Sequence, residues 1–355
     1  MHGRPGQPIR LLRNTRIHRR LHSLLLSGAN FVSCVRSTAS PGDALIPGQE
    51  TSSIASVVSA ATPAGAAAKV RPRRPVSERR RVKLLIAIPV HNERKYVEQV
   101  LQKVRSYHDD VLVVDDGSAD GTSQVLADIA GSGQIHLIRH RTNQGYGQSL
   151  IDAFAFADRQ SYDWVITMDC DEQHEPEMIP RFRDLIDTDR FDLISGSRYL
   201  SPRSSDDLPP ADRRSINTRI TAMLNRLFGW QITDAFCGFK AHRVAAMRRI
   251  NLTETGYAFP LQLWPQVWSA GLRVTELPVR LIYNDTTRTF GGNLDDADRR
   301  LRHYLSVLSN ELTALGADHE AAAVDADGLE AARPAGKPKK ALSPVALSAI
   351  CGCAV

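Results

Sequence analysis

The sequence predicts an α/β protein with a mostly parallel central sheet and helices on both faces. Two observations carry that expectation. Between residues 83 and 315, short apolar runs alternate with amphipathic stretches of helical period. Fully apolar strands of this kind are buried on both faces, as parallel strands are. The polar motifs also follow directly after apolar runs, and in such sheets ligands bind beyond the carboxyl ends of the strands.

Taken in order, Lys83–Val90 is an apolar strand. Lys95–Ser106 follows as a helix with Val97, Val100, Leu101 and Val104 on one stripe. Strands over Val111–Val114, Gln134–Ile138, Trp164–Met168 and Phe191–Ser195 alternate with helices over Thr122–Ile129, Gly147–Ala157 and Pro176–Ile186. The second half reads as more helical: Arg213–Phe228, Ala241–Arg249, Phe259–Ala270 and Asp295–Leu312, with one strand at Arg273–Pro278.

The ends differ from this core. Residues 1–82 hold 14 Lys and Arg against three acids, Asp43, Glu50 and Glu78. The other residues carry 31 bases against 36 acids, so the net charge of +6 belongs to an arm. Residues 40–82 are rich in Ala, Ser, Pro and Gly and read as a flexible linker. Gly28, Asn30 and Arg36 interrupt the only leader-like apolar stretch, Leu21–Leu26. The expected division is therefore 1–82 as a disordered arm or leader, 83–315 as a catalytic domain, and 316–355 as a disordered tail. Five scattered cysteines form no CxxC pair and point to a reducing compartment. No apolar run approaches the roughly 18 residues of a membrane-spanning helix. The arm lacks interleaved aromatics, which argues against specific nucleic-acid recognition.

The most informative stretch is Asp169-Cys170-Asp171-Glu172-Gln173-His174, directly after a buried strand. In an extended segment, Asp169, Asp171 and Gln173 share a face. Three hard oxygen ligands suit Mg²⁺ or Mn²⁺ carrying phosphates rather than zinc. Cys170 then points the other way and reads as packing. Upstream, Pro89-Val90-His91-Asn92-Glu93 ends the first strand. Glu93 can accept from a ribose or base edge, or serve as the first-turn acid of the next helix. Asp115-Asp116-Gly117-Ser118 ends the second strand, and Asn143-Gln144-Gly145-Tyr146-Gly147 reads as a turn opening a helix.

Together these motifs resemble family 2 glycosyltransferases of the GT-A fold, of the polyprenol-phosphate (dolichol- or undecaprenyl-phosphate) mannosyl/glucosyltransferase type. The resemblance spans about residues 83–290. It rests on Ile88–Glu93, Val113–Ser118, Met168–His174 with Pro176, Gly196-Ser197-Arg198-Tyr199 and Asp234–Ala241, in the family's order. It implies that Pro89, Val90, Glu93, Val114 and Asp116 line the nucleotide. Asp169 and Asp171, supported by Gln173, would hold the metal on the diphosphate. Arg198 and Arg214 would face an acceptor phosphate, with Arg288 as a late basic residue. The family often has Glu where this chain has Gln262, and its late Lys after Arg288 is missing.

The reaction implied is transfer of mannose or glucose from GDP-mannose or UDP-glucose to a polyprenyl phosphate, with inversion. A phosphate monoester has a second pKa of about 6, so it needs cations to approach the donor rather than a carboxylate base. Gln262 in place of Glu, with Arg198, Arg213 and Arg214, fits such an acceptor. A transferase using a saccharide hydroxyl would need a base, and no Gln-x-x-Arg-Trp signature of processive synthases is present. A cytoplasmic enzyme touching the membrane peripherally is expected. Arg71-Pro72-Arg73-Arg74-Pro75 and Arg79–Arg81 would attract anionic headgroups, at roughly 1 kcal/mol per residue near the surface. Removing residues 1–80 is expected to weaken sedimentation with anionic liposomes; unchanged binding would exclude the arm as an anchor.

Overall fold

The computed structural model describes residues 81–203, 206–283 and 289–331. The basic run up to residue 80, Arg288 and the tail beyond residue 331 lie outside them. Seven strands form one sheet in the order β3-β2-β1-β4-β6-β5-β7. They are β1 Leu84–Val90, β2 Val111–Asp115, β3 His136–Arg139, β4 Trp164–Thr167, β5 Leu193–Ser197, β6 Lys240–Arg243 and β7 Val274–Pro278. Strand β6 alone runs antiparallel, wedged between β4 and β5; the other pairings are parallel.

Alternation along the strands divides the core in two. Leu85, Ala87, Leu112, Val114 and Val165 face one cluster. It is covered by helices α3 (Tyr146–Arg159), α5 (Ala211–Phe228), α7 (Phe259–Ser269) and α8 (Ala297–Ala314). Leu84, Ile86, Ile88, Val111, Val113 and Ile166 face the other. That side is covered by α1 (Val97–Arg105), α2 (Thr122–Gly131) and α4 (Ile179–Asp187). The stripe expected on the first helix, Val97, Val100, Leu101 and Val104, is buried as a unit. This is the doubly covered sheet that the alternation predicts.

Two expectations are corrected. The helix expected over 241–249 is strand β6 followed by a single turn, α6 (Val244–Met247). Lys-Ala-His-Arg has no strong strand preference of its own. It is drawn into the sheet because β4 and β5 offer it a ladder on each side, and pairing of this kind overrides local propensity. The disorder expected from residue 316 gives way to helix α9 (Asp318–Ala331). Its Ala-rich sequence favours helix, and Ala321 and Val324, three apart, are buried in the first cluster.

Asp192 ties three strands together at the end of the sheet opposite the motif-bearing loops. It accepts from the Arg273 backbone N at 3.0 Å and from Nε and Nη2 at 2.8 Å each. Arg243 Nε lies 3.1 Å away. Hydrogen bonds from Arg273, ahead of the opposing effect of burial, hold the Asp192 pKa down from 3.8 to about 2. The stabilisation is therefore complete above the ordinary carboxylate pKa and is lost as pH falls through about 2. Asp192→Asn is expected to lower unfolding free energy by about 1 kcal/mol at pH 7, after allowance for solvent screening. Chemical denaturation should show the gap closing between pH 4 and pH 2.

Candidate active site

The carboxyl ends of β1, β2 and β4 and the start of β6 open into a cleft of about 1280 Å³. Pro89, Val90, Glu93, Asp116, Asp169, Asp171, Gln173 and Arg198 all line it. Sequence motifs 149 residues apart, from Pro89 to Gly238, thus meet at the carboxyl ends of the strands. Val114 does not line it: its side chain is buried in the core beneath. Arg214 lies behind the wall, its guanidinium 3.6 Å from the ring centroid of Tyr199, which does line the cleft.

The segment after β4 is not extended. Glu172 has φ 57°, so the two-residue alternation that would align Asp169, Asp171 and Gln173 is broken. The three still reach the cleft because the segment turns, with Gln173 N donating to Asp171 Oδ1 at 3.1 Å. Cys170 is buried in the second core cluster. Asp169 Oδ1 accepts from the Tyr146 hydroxyl at 3.1 Å, and its backbone N donates to His174 Nδ1 at 3.0 Å. Burial raises the Asp169 pKa; His174 opposes this and Asp171 adds to it. Burial and the Asp169 charge raise the Tyr146 pKa well above its ordinary value, so the phenol keeps its proton and donates. Gly238 is needed here: a Cβ would sit 2.5 Å from Asp169 Oδ2.

Asp116 does more than line the cleft. Its oxygens accept from Gln144 N at 2.7 Å, Gly145 N at 2.8 Å and His140 Nδ1 at 2.7 Å. It therefore shapes the turn that opens α3. Gly145, at φ 106°, and Gly147 let that turn press against the carbonyls of Thr255 and Glu254, where any Cβ would clash.

The opposite wall is cationic. Arg198 grips the fully buried Asp234 carboxylate through Nε at 2.7 Å and Nη2 at 2.9 Å. Asn217 Nδ2 adds a bond at 2.8 Å. Burial alone would raise the Asp234 pKa, but Arg198 and Asn217 hold it to about 2. Lys240 also lines the cleft; its Nζ donates to Ser195 Oγ at 2.6 Å. Burial lowers the Lys240 pKa from its ordinary value. His242, beside it, is brought down to about 3 by burial and by the Lys240 charge, so it is neutral. Arg213 and Arg300 flank the Phe290 ring at 4.7 and 4.6 Å. Sequence reasoning missed Lys240 and His242. Lys240 lay inside the Asp234–Ala241 motif, but the expected helix hid the strand that turns its side chain inward.

Gln262, read from sequence as standing in for a base, is not part of the cleft lining. Its Oε1 accepts from Thr253 N and Glu254 N at 2.7 Å each, and its Nε2 donates to Glu311 at 2.8 Å. Gln266, one turn on, donates to the other Glu311 oxygen at 2.9 Å. The pair staples the 251–254 segment to α8, so the identity of residue 262 says nothing about a catalytic base.

A doubly covered, mostly parallel sheet with paired carboxylates after the fourth strand fits a class of group-transfer enzymes. Comparison with known proteins places the chain within it. The family described as Glycosyl transferase family 2 matches residues 85–250. "Undecaprenyl-phosphate mannosyltransferase" of Micrococcus luteus is 29% identical over 225 residues, covering 61% of this chain and 91% of that protein. "Polyprenol monophosphomannose synthase" of Mycolicibacterium smegmatis is 30% identical over 234 residues, covering 63% and 87%. The crystal structure of glucosyl-3-phosphoglycerate synthase from Mycobacterium tuberculosis shares the fold, with TM-score 0.50, 18% identity and coverage of 66% and 81%. The chain belongs to glycosyl transferase family 2 and is a glycosyltransferase of the GT-A fold.

Gln262→Glu would set a second carboxylate against Glu311. It is expected to cost about 1–3 kcal/mol of stability, read by thermal or chemical unfolding, while turnover per folded molecule stays unchanged. A selective gain or loss of turnover would return position 262 to the chemistry.

Proposed function

We propose that this enzyme moves a hexose, mannose or glucose, from a nucleotide-sugar to a polyprenyl phosphate at the cytoplasmic face of a membrane. One observation carries the reading: the cleft sets carboxylates after β1, β2 and β4 together with a group of buried and half-buried cations. Among the described residues, the acids lining it are Glu93, Asp116, Asp120, Asp169 and Asp171, all following β1, β2 or β4. Arg94 and Lys95 line it as exposed residues beside Glu93, whereas Arg198, Arg213, Lys240 and Arg300 are the buried or half-buried cations of its lining. The carboxylates suit a metal–nucleotide donor and the buried and half-buried cations an anionic acceptor. The names of the two relatives, an undecaprenyl-phosphate mannosyltransferase and a polyprenol monophosphomannose synthase, support the same pairing.

In this reading Pro89, Val90 and Glu93 bound the nucleotide, and Asp116 holds the turn beside it. Asp169 and Asp171, with Gln173 alongside, hold Mg²⁺ or Mn²⁺. Among the described residues no group of three or more His, Cys, Asp or Glu could hold a metal by itself. Two carboxylates nevertheless fit a cation that keeps the rest of its shell on phosphates and water, as Mg²⁺ does. Burial that disfavours the Asp169 charge is also offset by a cation at that carboxylate. When bound, the metal neutralises charge on the leaving diphosphate.

Arg198 has Nε and Nη2 committed to Asp234, which fixes the guanidinium facing the cleft. Its preorganised charge, with Arg213 and Lys240, offsets the repulsion between the acceptor phosphate and the diphosphate. Arg214 supports that wall through Tyr199. An acceptor oxygen then attacks the anomeric carbon as the bond to the diphosphate breaks, inverting the centre. A phosphate acceptor arrives already ionised, so no proton needs removal. The catalytic unit in this reading spans residues 83–315, with α9 packed on it.

Incubation with Mg²⁺ or Mn²⁺, labelled GDP-mannose or UDP-glucose, and undecaprenyl phosphate should yield a lipid-soluble labelled product. Label appearing only on water-soluble acceptors would overturn the lipid assignment. Asp171→Asn should abolish turnover, a loss of at least about 10²-fold; retained activity in that variant would exclude the metal role.

A further inference from the structure

The structure joins the nucleotide side of the cleft to a buried histidine that no sequence motif singled out. His140 follows β3 and is 7% exposed. Its Nδ1 lies 2.7 Å from Asp116 Oδ1 and its Nε2 lies 2.9 Å from Asp152 Oδ2. Asp152 is one and a half turns into α3, and Gln148 Nε2 also donates to it at 3.2 Å. The imidazole is therefore a strut between α3 and the end of β2. The Asp116 oxygens that His140 orients also accept the amides of Gln144 and Gly145. The next residue is Tyr146, whose hydroxyl donates to Asp169 Oδ1 at 3.1 Å.

We infer that His140 is a positioning residue for donor binding. By donating to Asp116 it orients that carboxylate to hold the 144–146 turn, and so places Gly145 against the nucleotide side and Tyr146 against Asp169. The inference rests on the donor reading proposed above.

Three physical points support it. A carboxylate is free to rotate about its Cβ–Cγ bond, and Asp116 can accept two adjacent amides only in one orientation. A second donor on Oδ1 removes that freedom. Asp152 in turn fixes the ring, since an imidazole bonded at one nitrogen alone can still tilt or flip. The turn itself has no slack: Gly145 and Gly147 already lie against the 254–255 backbone, so a displaced Asp116 moves Tyr146 rather than being absorbed locally. His140 touches neither Asp169 nor Asp171, and it is not among the residues that line the cleft. Its effect must pass through Asp116.

The two ring nitrogens can be separated by substitution. In His140→Asn the side-chain amide nitrogen stands near the Nδ1 position and keeps the bond to Asp116. In His140→Gln it stands near the Nε2 position and keeps the bond to Asp152 instead. Both variants lose the ring and one bond, so a purely structural role predicts matched losses. Binding of GDP and of UDP in the presence of Mn²⁺ should be measured by calorimetry, with thermal unfolding and steady-state kinetics alongside. The expected result is affinity near wild type for His140→Asn and a dissociation constant about tenfold higher for His140→Gln, one hydrogen bond's worth. KM for the donor should follow the dissociation constant, kcat at saturating donor should change less, and the two melting temperatures should be alike.

Equal loss of affinity in the two variants, or loss in neither, overturns the inference while leaving the donor reading intact. Wild-type protein that binds neither nucleotide overturns the donor reading and this inference with it. If the histidine variants fail to fold, Asp152→Asn carries the test, because that side chain is a third exposed. It should raise the donor KM about threefold with kcat preserved, and an unchanged KM overturns the role.

Discussion

The fully buried Asp234 carboxylate is the constraint around which the Arg198 side of the cleft is organised. A charge without water must be matched by donors, or the site cannot fold. The donors come from separate places: Arg198 at the end of β5, Asn217 in α5, and the backbone of Phe236 on the approach to β6. Glu276 on β7 completes the arrangement, accepting from the Thr233 and Asp234 amides. Matching one carboxylate thus fixes four elements relative to one another. It also leaves Arg198 facing the cleft in one orientation, with little entropy left to lose when an anion arrives. Lys240 adds a second buried cation nearby, so the charges of Asp234 and Glu276 are balanced within the protein.

The acidic side is built differently. There the fold relies on backbone amides and on the absence of side chains. Asp116 gathers two amides, Gly145 and Gly147 permit the close approach of α3 to the 254–255 backbone, and Gly238 leaves room for the Asp169 carboxylate. The 251–254 segment against which α3 rests is held by Gln262 and Gln266 to Glu311 of α8. A late helix that contributes little to the sheet therefore sets the position of the cleft wall. Gln262 reads as a missing catalytic base only if its neighbours are unknown. With them in view it is a fully hydrogen-bonded amide, using both ends, where a carboxylate could use only one.

Strands β1, β2 and β4 were legible in the sequence because each is an apolar run ended by a polar motif. Asp169, Asp171, Glu93 and Arg198 could be picked out for the same reason: strand ends in a parallel sheet converge on one edge. What was not legible depended on partners distant in sequence. Ala241-His242-Arg243 reads as the start of a helix until β4 and β5 claim it. Val114 and Asp116 are two residues apart on the same motif, yet one enters the core and the other the cleft, because the strand ends at Asp115. The alternation argument for Asp169, Asp171 and Gln173 was built for an extended chain. Glu172, at φ 57°, shows that the convergence is achieved by a turn. His140 carried no local signal at all, since its meaning lies in two carboxylates 24 residues before it and 12 after.

The two walls together explain why Asp169 sits where burial works against its charge. A solvated carboxylate would hold a cation more loosely and would admit water beside the reacting centre. Burial makes the ionised form costly, and the protein offsets part of that cost with the Tyr146 hydroxyl and with His174, while Asp171 adds to it. The remaining deficit is one that a divalent cation relieves in the proposed reading, so that the donor's own metal completes the charge balance of the acidic side. The cations of the cleft are partly matched within the protein: Arg198 pairs with Asp234 and Arg300 with Asp212. Arg213 and Arg300 also face Phe290, whose ring stabilises a guanidinium. In the proposed reading an anionic acceptor meets these cations as the metal–diphosphate meets the acids.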